Sequence, residues 1–245
     1  GIPRLGIPRL ILSDGPAGLR IHSSRENDDQ KYYCTAFPIG TLLASTWNKQ
    51  LVNEVGGAMG SEALEYGVDL ILGPGVNIHR HPLCGRNFEY YSEDPLLTGE
   101  IGAAMVNGIE SNGVGATPKH FVANNQETSR NINNSIVSDR AMREIYLKGF
   151  EIIVKKSQPW AIMSSYNKVN GVYTSESKPL LTDILRNEWG YEGIVMTDWF
   201  GGNNVSEQIK AGNDLLEPGT KNIWDNLIKA YEDGDLSLKE IDLSV

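Results

Sequence analysis

The feature of this chain that most constrains its fold is a regular alternation of short apolar runs with longer amphipathic stretches. We predict strands at seven of the short runs, which are 9–13, 41–44, 69–72, 115–118, 161–164, 194–197 and 214–216. The helical spacing of apolar residues predicts helices over 48–65, 96–111, 138–156, 178–189, 206–211 and 221–232. Strands that alternate with helices build parallel sheets with βαβ crossovers, so the order of elements indicates an α/β fold.

A TIM-type (β/α) barrel fits this pattern better than an open sheet. A chain of 245 residues has the usual length of one such barrel, and it lacks the glycine-rich turn that opens the first helix of a dinucleotide-binding sheet. Because seven strand candidates stand where a complete barrel has eight, we expect an incomplete or irregular barrel as one domain over residues 1–245. The chain begins without Met and stops inside a helical pattern, which suggests that both ends are cut.

Charge and composition argue against several classes of partner. The formal net charge is −9 and there is no basic run, which disfavours nucleic acid and anionic membrane surfaces. No stretch reaches the ~18 apolar residues of a membrane span. Two cysteines (Cys34 and Cys84) and four histidines offer neither a disulfide framework nor the spacing of a zinc site, so we expect no metal and no cofactor. The compartment, cytoplasmic or secreted, stays open.

Charged, polar and aromatic side chains follow most of the predicted strands. They are Asp14, Arg20, Arg86, Lys119, His120, Tyr166, Asp198 and Trp199. Because the carboxyl ends of parallel barrel strands share one face, we expect these side chains to gather into one site. Asp198 follows the short apolar run at 194–197 and would be costly to bury unpaired. On spacing alone, it could equally cap the helix that follows.

Such a set of side chains suits the recognition of a sugar. Charged groups hydrogen-bond to hydroxyls, and aromatic rings cover the apolar face of the sugar ring. Glycoside hydrolysis needs two carboxyl groups flanking one bond, and Asp198 is the candidate nucleophile. We expect the neighbouring cations to keep the pKa of Asp198 low and its anion available.

Five separated motifs carry a family resemblance. In chain order they are 14–20 (DGPAGLR), 84–95 (CGRNFEYYSEDP), 119–121 (KHF), 163–167 (MSSYN) and 194–199 (IVMTDW). Together they resemble the glycoside hydrolase family 3 β-glucosidases, in the same order and over nearly the whole chain. The resemblance implies a (β/α) barrel as the N-terminal domain of the family, a barrel that is incomplete in some bacterial members.

The resemblance also implies how the nucleophile is surrounded. Asp198 would be the nucleophile of a retaining, double-displacement mechanism, and Asp14 would bind the distal hydroxyls of the sugar in the −1 subsite. Tyr166 would sit beside the nucleophile, with packing or loop hydrogen bonding as its alternative role. Trp199 would form part of the wall toward the leaving group.

The basic residues would hold the rest of the sugar. By the same resemblance, Arg86, Lys119 and His120 would bind the remaining hydroxyls, and Arg20 would support them unless it only packs against the loop. The N-acetylglucosaminidases of the family carry a Gly-His-Gly loop after the Lys-His pair. Here that stretch reads FVANNQET over 121–128, which favours a glucoside over an N-acetylhexosaminide. We expect a β-glucoside or oligosaccharide as the substrate.

The second of the two carboxyl groups that glycoside hydrolysis needs is not evident in the chain. In the β-glucosidase branch of the family, it is a Glu from a C-terminal α/β-sandwich domain, so we expect a missing domain or a companion chain as partner. We interpret Glu89 and Glu93 as ion-pair partners and not as catalytic acids. Two other functions stay open: a non-catalytic sugar-binding barrel fragment, and a β-xylosidase or arabinosidase of the same family.

Overall fold

The computed structural model describes residues 1–245 and contains eight α-helices. They are α1 (Gly40–Ser45), α2 (Lys49–Glu65), α3 (Pro95–Glu110), α4 (Asp139–Ala141), α5 (Lys148–Ser157), α6 (Val205–Ala211), α7 (Lys221–Glu232) and α8 (Leu238–Asp242). A π-helical segment at Met142–Tyr146 connects α4 to α5, and a second one covers Pro179–Glu188. All six predicted helices are therefore present.

The helix boundaries follow from capping side chains that the sequence displays. The Asn48 side chain accepts a hydrogen bond from the backbone of the first turn of α2. Asp94 does the same for α3, and Thr220 for α7. Side chains of this kind satisfy N–H groups that have no partner within the helix, so they fix where a helix begins.

Nine short strands form three sheets. They are β1 (Leu12–Asp14), β2 (Leu70–Leu72), β3 (Gly115–Ala116), β4 (Lys119–Phe121), β5 (Asn134–Ser135), β6 (Ala161–Ser164), β7 (Lys168–Val169), β8 (Val172–Tyr173) and β9 (Ile194–Met196). The first sheet has the parallel order β1-β2-β3, and the second has the parallel order β4-β6-β9.

Two parallel bridges turn these sheets into one irregular barrel wall. Gly75 pairs with Lys119, which links the chain beyond β2 to β4, and Met196 pairs with Leu215 beyond β9. No pairing joins Leu215 back to β1, so the wall does not close. The expectation of an incomplete or irregular barrel is confirmed.

One predicted strand is wrong. The run at 41–44 lies in helix α1, where Leu43 and Ala44 are buried while Leu42 is 57% exposed. A short continuous apolar run carries no period that separates a strand from a buried helical turn. The run at 214–216 contributes only the single bridge at Leu215.

A small sheet outside the barrel was not predicted. It consists of β5, β7 and β8, with β7 and β8 joined as a hairpin. The hairpin turn is Asn170-Gly171, whose φ angles of 49° and 95° are both positive. An Asn-Gly pair between two short strands is the sequence signal of such a turn, so this hairpin could have been found.

The barrel wall separates two apolar layers. Alternation along β6 places Ile162 in a cluster of 35 buried residues that spans strands and surrounding helices. Its neighbour Met163 belongs to a second, small cluster with Leu72, Ala161 and Met196, contributed by β2, β6 and β9. Successive side chains of a strand point to opposite faces, so this small cluster fills the interior of the barrel.

The outer helices pack with their backbones close together. α2 and α3 meet at Gly108, where an added Cβ would lie 2.2 Å from the carbonyl oxygen of Asn53. No helix of the structure is both long and apolar enough to cross a membrane. Nor does the structure bring together three or more His, Cys, Asp or Glu side chains in a way that could hold a metal ion.

Candidate active site

A cavity of about 680 Å³ lies at the carboxyl ends of the barrel strands. All eight residues singled out in the sequence line it: Asp14, Arg20, Arg86, Lys119, His120, Tyr166, Asp198 and Trp199. They come from distant parts of the chain and meet here because parallel strands deliver their carboxyl ends to one face. Their placement in one cavity is the arrangement that the strand-end pattern predicts.

Asp198 follows strand β9 and is only 8% exposed. Its Oδ1 accepts a hydrogen bond of 2.8 Å from the backbone N–H of Trp199. Burial raises the pKa of Asp198, and this effect outweighs the opposing effects of that hydrogen bond and of the Lys119 charge. The expectation of a low pKa was wrong, because burial of the carboxyl could not be weighed from sequence.

The alternative role for Asp198 as a helix cap is excluded. The next helix, α6, begins seven residues later at Val205, and its N-cap is Asn204. The Asn204 side chain accepts from the N–H groups of Ser206 and Glu207. Asp198 therefore keeps a carboxylate oxygen directed at the cavity side, close to His120.

His120 is buried against this carboxylate. Its Nε2 lies 3.7 Å from Oδ2 of Asp198. Burial lowers the pKa of His120 well below its ordinary value, and the charges of Arg86 and Lys119 add to the effect. The imidazole is therefore neutral at pH 7, and its approach to Asp198 is a polar contact between neighbours and not an ion pair.

A lysine and an arginine hold Asp14 as an anion. Lys119 donates to Oδ1 of Asp14 at 2.9 Å, and Arg20 approaches Oδ2 at 3.3 Å. Burial alone would raise the pKa of Asp14, but Lys119 and then Arg20 outweigh it and hold the pKa below its ordinary value. Asp14 is therefore an acceptor of hydrogen bonds in this cavity and a poor proton donor.

The neighbours Lys119 and His120 both line the cavity although they are adjacent in strand β4. Strict alternation would direct them to opposite faces of the barrel wall. The register of β4 against β6 shifts between Lys119 and Phe121. This irregularity lets two consecutive side chains serve the same site.

Arg86 is held by an acidic neighbour three residues away. Its Nε donates to the buried carboxylate of Glu89, and its guanidinium lies 6.0 Å from the centroid of the Tyr90 ring. The interpretation of Glu89 as an ion-pair partner is therefore confirmed. The same interpretation of Glu93 was wrong, because Glu93 is exposed and makes no ion pair.

Arg130 and Phe88 are among the cavity-lining residues that could not be singled out from the sequence. The guanidinium of Arg130 lies over the Tyr166 ring, 4.6 Å from its centroid. Burial, and after it the charge of Asp198, raise the pKa of Tyr166, which keeps its hydroxyl protonated. Arg130 is on the long loop after β4, and its only signal in the sequence was its place shortly after the Lys119-His120 pair.

The chain resembles known proteins in both sequence and fold. The model of the glycosyl hydrolase family 3 N terminal domain matches residues 4–245. The chain belongs to glycosyl hydrolase family 3. The solved β-glucosidase 3B of Thermotoga neapolitana in complex with α-D-glucose is a family 3 structural neighbour, with 56% identity and a TM-score of 0.97.

The curated relatives of this chain are named for two different activities. Beta-glucosidase A of Butyrivibrio fibrisolvens is 54% identical over 87% of this chain, and an exo-alpha-(1->6)-L-arabinopyranosidase of Bifidobacterium longum is 46% identical over 99%. This family 3 chain spans 25% and 32% of the lengths of those two relatives, and 35% of the Thermotoga neapolitana chain. The relatives are thus about three to four times as long.

Proposed function

We propose that this chain is the nucleophile-bearing barrel of a retaining β-glucosidase that hydrolyses terminal non-reducing β-D-glucosyl residues. The observation that carries the proposal is Asp198, a buried carboxylate at the end of β9 inside a cavity of about 680 Å³. Cationic and neutral donors surround it, and the family match adds weight to a glycosidase. A cavity of this volume accommodates a sugar residue.

In the first step, Asp198 attacks the anomeric carbon of the sugar. A bond forms between a carboxylate oxygen and that carbon, the bond to the leaving-group oxygen breaks, and that oxygen takes a proton from an acid. In the second step, water attacks the same carbon and displaces Asp198. Two inversions give net retention of configuration.

The basic residues and Asp14 hold the sugar through its hydroxyls. Lys119 and Arg86 supply charged donors, and the anionic Asp14 accepts from the distal hydroxyls. Neutral His120 lies beside the nucleophile and bonds a further hydroxyl without neutralising Asp198. Arg20 supports Asp14 from the more exposed side of the cavity.

Two aromatic residues of the cavity, Tyr166 and Trp199, contact different sides of the sugar in this proposal. Tyr166, protonated and next to Asp198, directs its hydroxyl toward the nucleophile side. Trp199 follows the nucleophile in sequence and forms part of the wall toward the leaving group. An aromatic face of this kind covers the C–H surface of a sugar ring.

The acid that protonates the leaving group comes from outside these 245 residues. The cavity holds two other carboxylates, and neither suits the role. Asp14 has a lowered pKa, and Glu89 is paired with Arg86. The longer relatives are consistent with a C-terminal α/β-sandwich domain, or a companion chain, that supplies a Glu.

Glucosides are the favoured substrates, and arabinopyranosides are the second candidate. The Thermotoga neapolitana neighbour is described in complex with glucose, whereas the Bifidobacterium longum relative is named for L-arabinopyranose. The deciding test is kcat/KM of the protein on 2,4-dinitrophenyl β-D-glucoside, β-D-xyloside and α-L-arabinopyranoside. The proposal expects the glucoside to be the best substrate. A higher value for either pentoside would replace glucose by that sugar.

A sugar-binding fragment without turnover is the alternative from another functional class. It would bind glucose but release no dinitrophenolate from any of the three substrates. Asp198→Asn is the matched control, because it keeps the shape of the side chain and removes the nucleophilic charge. The proposal expects this variant to bind glucose and to release no dinitrophenolate above background.

A further inference from the structure

Glu127 lies just behind the cavity wall and connects two sides of the site. Its Oε1 accepts a hydrogen bond of 3.1 Å from Nδ2 of Asn124, and its Oε2 accepts one of 2.9 Å from Arg130. The Glu127 side chain is 20% exposed and is not among the residues that line the cavity. Both oxygens are therefore used to hold neighbours, and none faces a substrate.

From Asn124, the contacts lead to His120. The same Nδ2 that donates to Glu127 also donates to the Tyr90 hydroxyl at 3.2 Å. That hydroxyl lies 3.2 Å from Nδ1 of His120, whose Nε2 faces Asp198 at 3.7 Å. Because Glu127 can only accept, it fixes the Asn124 amide with its NH₂ group toward Tyr90.

From Arg130, the contacts lead to Tyr166. Glu127 fixes the guanidinium that lies over the Tyr166 ring at 4.6 Å from its centroid. Tyr166 in turn adjoins Asp198, whose charge contributes to its raised pKa. The two series of contacts start at one carboxylate and end at the two neighbours of the nucleophile.

We propose that Glu127 is a positioning residue that holds two neighbours of Asp198 in place. It acts on His120 through Asn124 and Tyr90, and on Tyr166 through Arg130. The inference rests on the proposed glycosidase function, since it assigns Asp198 as the reacting group. Misplacing groups around a reacting atom by about 1 Å costs about 100-fold in rate. Glu127 thus acts on the rate of glycosylation without touching the sugar.

A glutamine at this position cannot replace the carboxylate. Asn124 and Arg130 both present donors to Glu127, so both of its oxygens must accept. In Glu127→Gln, one acceptor becomes an NH₂ group that faces a donor, and one of the two connections is lost. The ion pair of Glu127 with the 39% exposed Arg130 side chain adds little to stability. The variant is therefore expected to fold, with its melting temperature lowered by no more than a few degrees.

The test is the rate at which 2,4-dinitrophenyl 2-deoxy-2-fluoro-β-D-glucoside labels the protein, followed by intact mass. Labelling of the wild-type protein tests the proposed function separately, and its failure there overturns that function first. With the wild type labelled, Glu127→Gln is expected to be labelled about 10- to 100-fold more slowly, mainly through the maximal rate and less through the half-saturating concentration. Labelling at the wild-type rate overturns the inference.

A matched control and a second variant separate positioning from folding. Glu144→Gln removes a carboxylate from an exposed pair with Arg140 and is expected to leave labelling unchanged. Arg130→Gln breaks the same connection from its other end, and the double variant with Glu127→Gln is expected to lose less than the product of the single losses. Fully multiplicative losses would mean that the two residues act independently, which contradicts the inference. If Glu127→Gln is partly unfolded at the labelling temperature and its folded fraction is labelled at the wild-type rate, the residue supports the fold and the inference is likewise overturned.

Discussion

At the scale of single residues, the site contains two carboxylates with opposite environments. Asp198 is buried and its pKa is raised by that burial, whereas Lys119 and Arg20 hold the pKa of Asp14 below its ordinary value. The first anion is held at a cost in stability, and the second is stabilised by its partners. This contrast predicts opposite effects of neutralising the two residues.

Asp198→Asn is expected to abolish turnover and to stabilise the fold. Loss of a covalent nucleophile reduces kcat by about 10⁴- to 10⁶-fold. Because the folded-state pKa lies above the unfolded value, ionisation of Asp198 makes stability fall as pH rises through the window between the two values. The variant should therefore melt at a higher temperature than the wild type at pH 7, with the gap closing toward pH 4. A lower melting temperature at pH 7 would contradict this assignment of the carboxylate.

Asp14→Asn is expected to destabilise the protein at pH 7. The buried Lys119 ammonium loses its charged partner, at a cost of about 1 kcal/mol once the partial exposure of Asp14 is taken into account. The lowered pKa means that the contribution of Asp14 is full above its unfolded pKa and is lost as pH falls through the folded value. Urea unfolding at pH 7 and pH 3 measures both values. A difference between variant and wild type that grows at pH 3 would have the wrong sign.

At this scale, the identity of the site residues could be predicted from the sequence, but their environments could not. Asp198 and Asp14 were recognisable because each follows a short apolar run that becomes a barrel strand. The raised pKa of Asp198 was not, because it depends on how deeply the carboxyl is buried in the folded site. The sequence predicted that cations lie near Asp198. It could not predict that burial affects the pKa of Asp198 more strongly than those cations do.

At the scale of elements, the loop after β1 must be shaped to bring Asp14 and Arg20 together. The turn closes with a hydrogen bond of 2.9 Å from the Arg20 N–H to the Asp14 carbonyl oxygen. Gly18 within it has a φ of +116°, and an added Cβ would lie 2.2 Å from the carbonyl oxygen of Thr35. The loop therefore depends on this glycine both for its backbone conformation and for a close approach.

Gly18→Ala is expected to destabilise the fold by about 1 to 3 kcal/mol and to weaken sugar binding. Moving the loop separates Arg20 from Asp14, so the Kd for glucose should rise along with the loss in urea midpoint. Gly6→Ala is the matched control, because its φ of +70° is also positive but nothing lies within 4 Å of the added Cβ. If both variants lose the same stability and keep the same Kd, the close approach at Gly18 is unimportant for the site.

The elements themselves were partly readable from the sequence. Strand β6 at Ala161–Ser164 was predicted with its final boundaries, and α7 at Lys221–Glu232 likewise. The run at 41–44 was misassigned because three consecutive apolar residues fit either a strand or a helical turn. Arg130 and Glu127 lie on a long loop that carries no periodic pattern, so their placement behind and beside the cavity required the structure.

At the scale of the whole molecule, this barrel corresponds to about a quarter to a third of each compared relative. Its cavity contains the proposed nucleophile, Asp198, but no carboxyl suited to protonate a leaving group. A retaining pair needs its two carboxyl groups only about 5 to 5.5 Å apart. The complete pair of catalytic carboxyl groups is therefore expected to form only when a further part of the enzyme covers the cavity face of the barrel.

The 245-residue chain on its own should discriminate sharply between leaving groups. General acid catalysis contributes about 10²- to 10⁴-fold when the leaving group is a poor one. Relative to a full-length family member, kcat/KM on cellobiose should fall by about that factor, whereas 2,4-dinitrophenyl β-D-glucoside should lose much less. Parallel kinetics on the two substrates provide the measurement. An equal loss on both substrates would contradict the expectation that the isolated barrel lacks the general acid.

The most direct test of the central claim is to locate the covalent intermediate. The protein would be incubated with 2,4-dinitrophenyl 2-deoxy-2-fluoro-β-D-glucoside, digested with a protease, and mapped by tandem mass spectrometry. A single fluoroglucosyl adduct on Asp198, absent from Asp198→Asn, is the predicted result. An adduct on another carboxylate such as Asp14 or Glu217, or equal labelling of the variant, would contradict the assignment of Asp198 as the nucleophile.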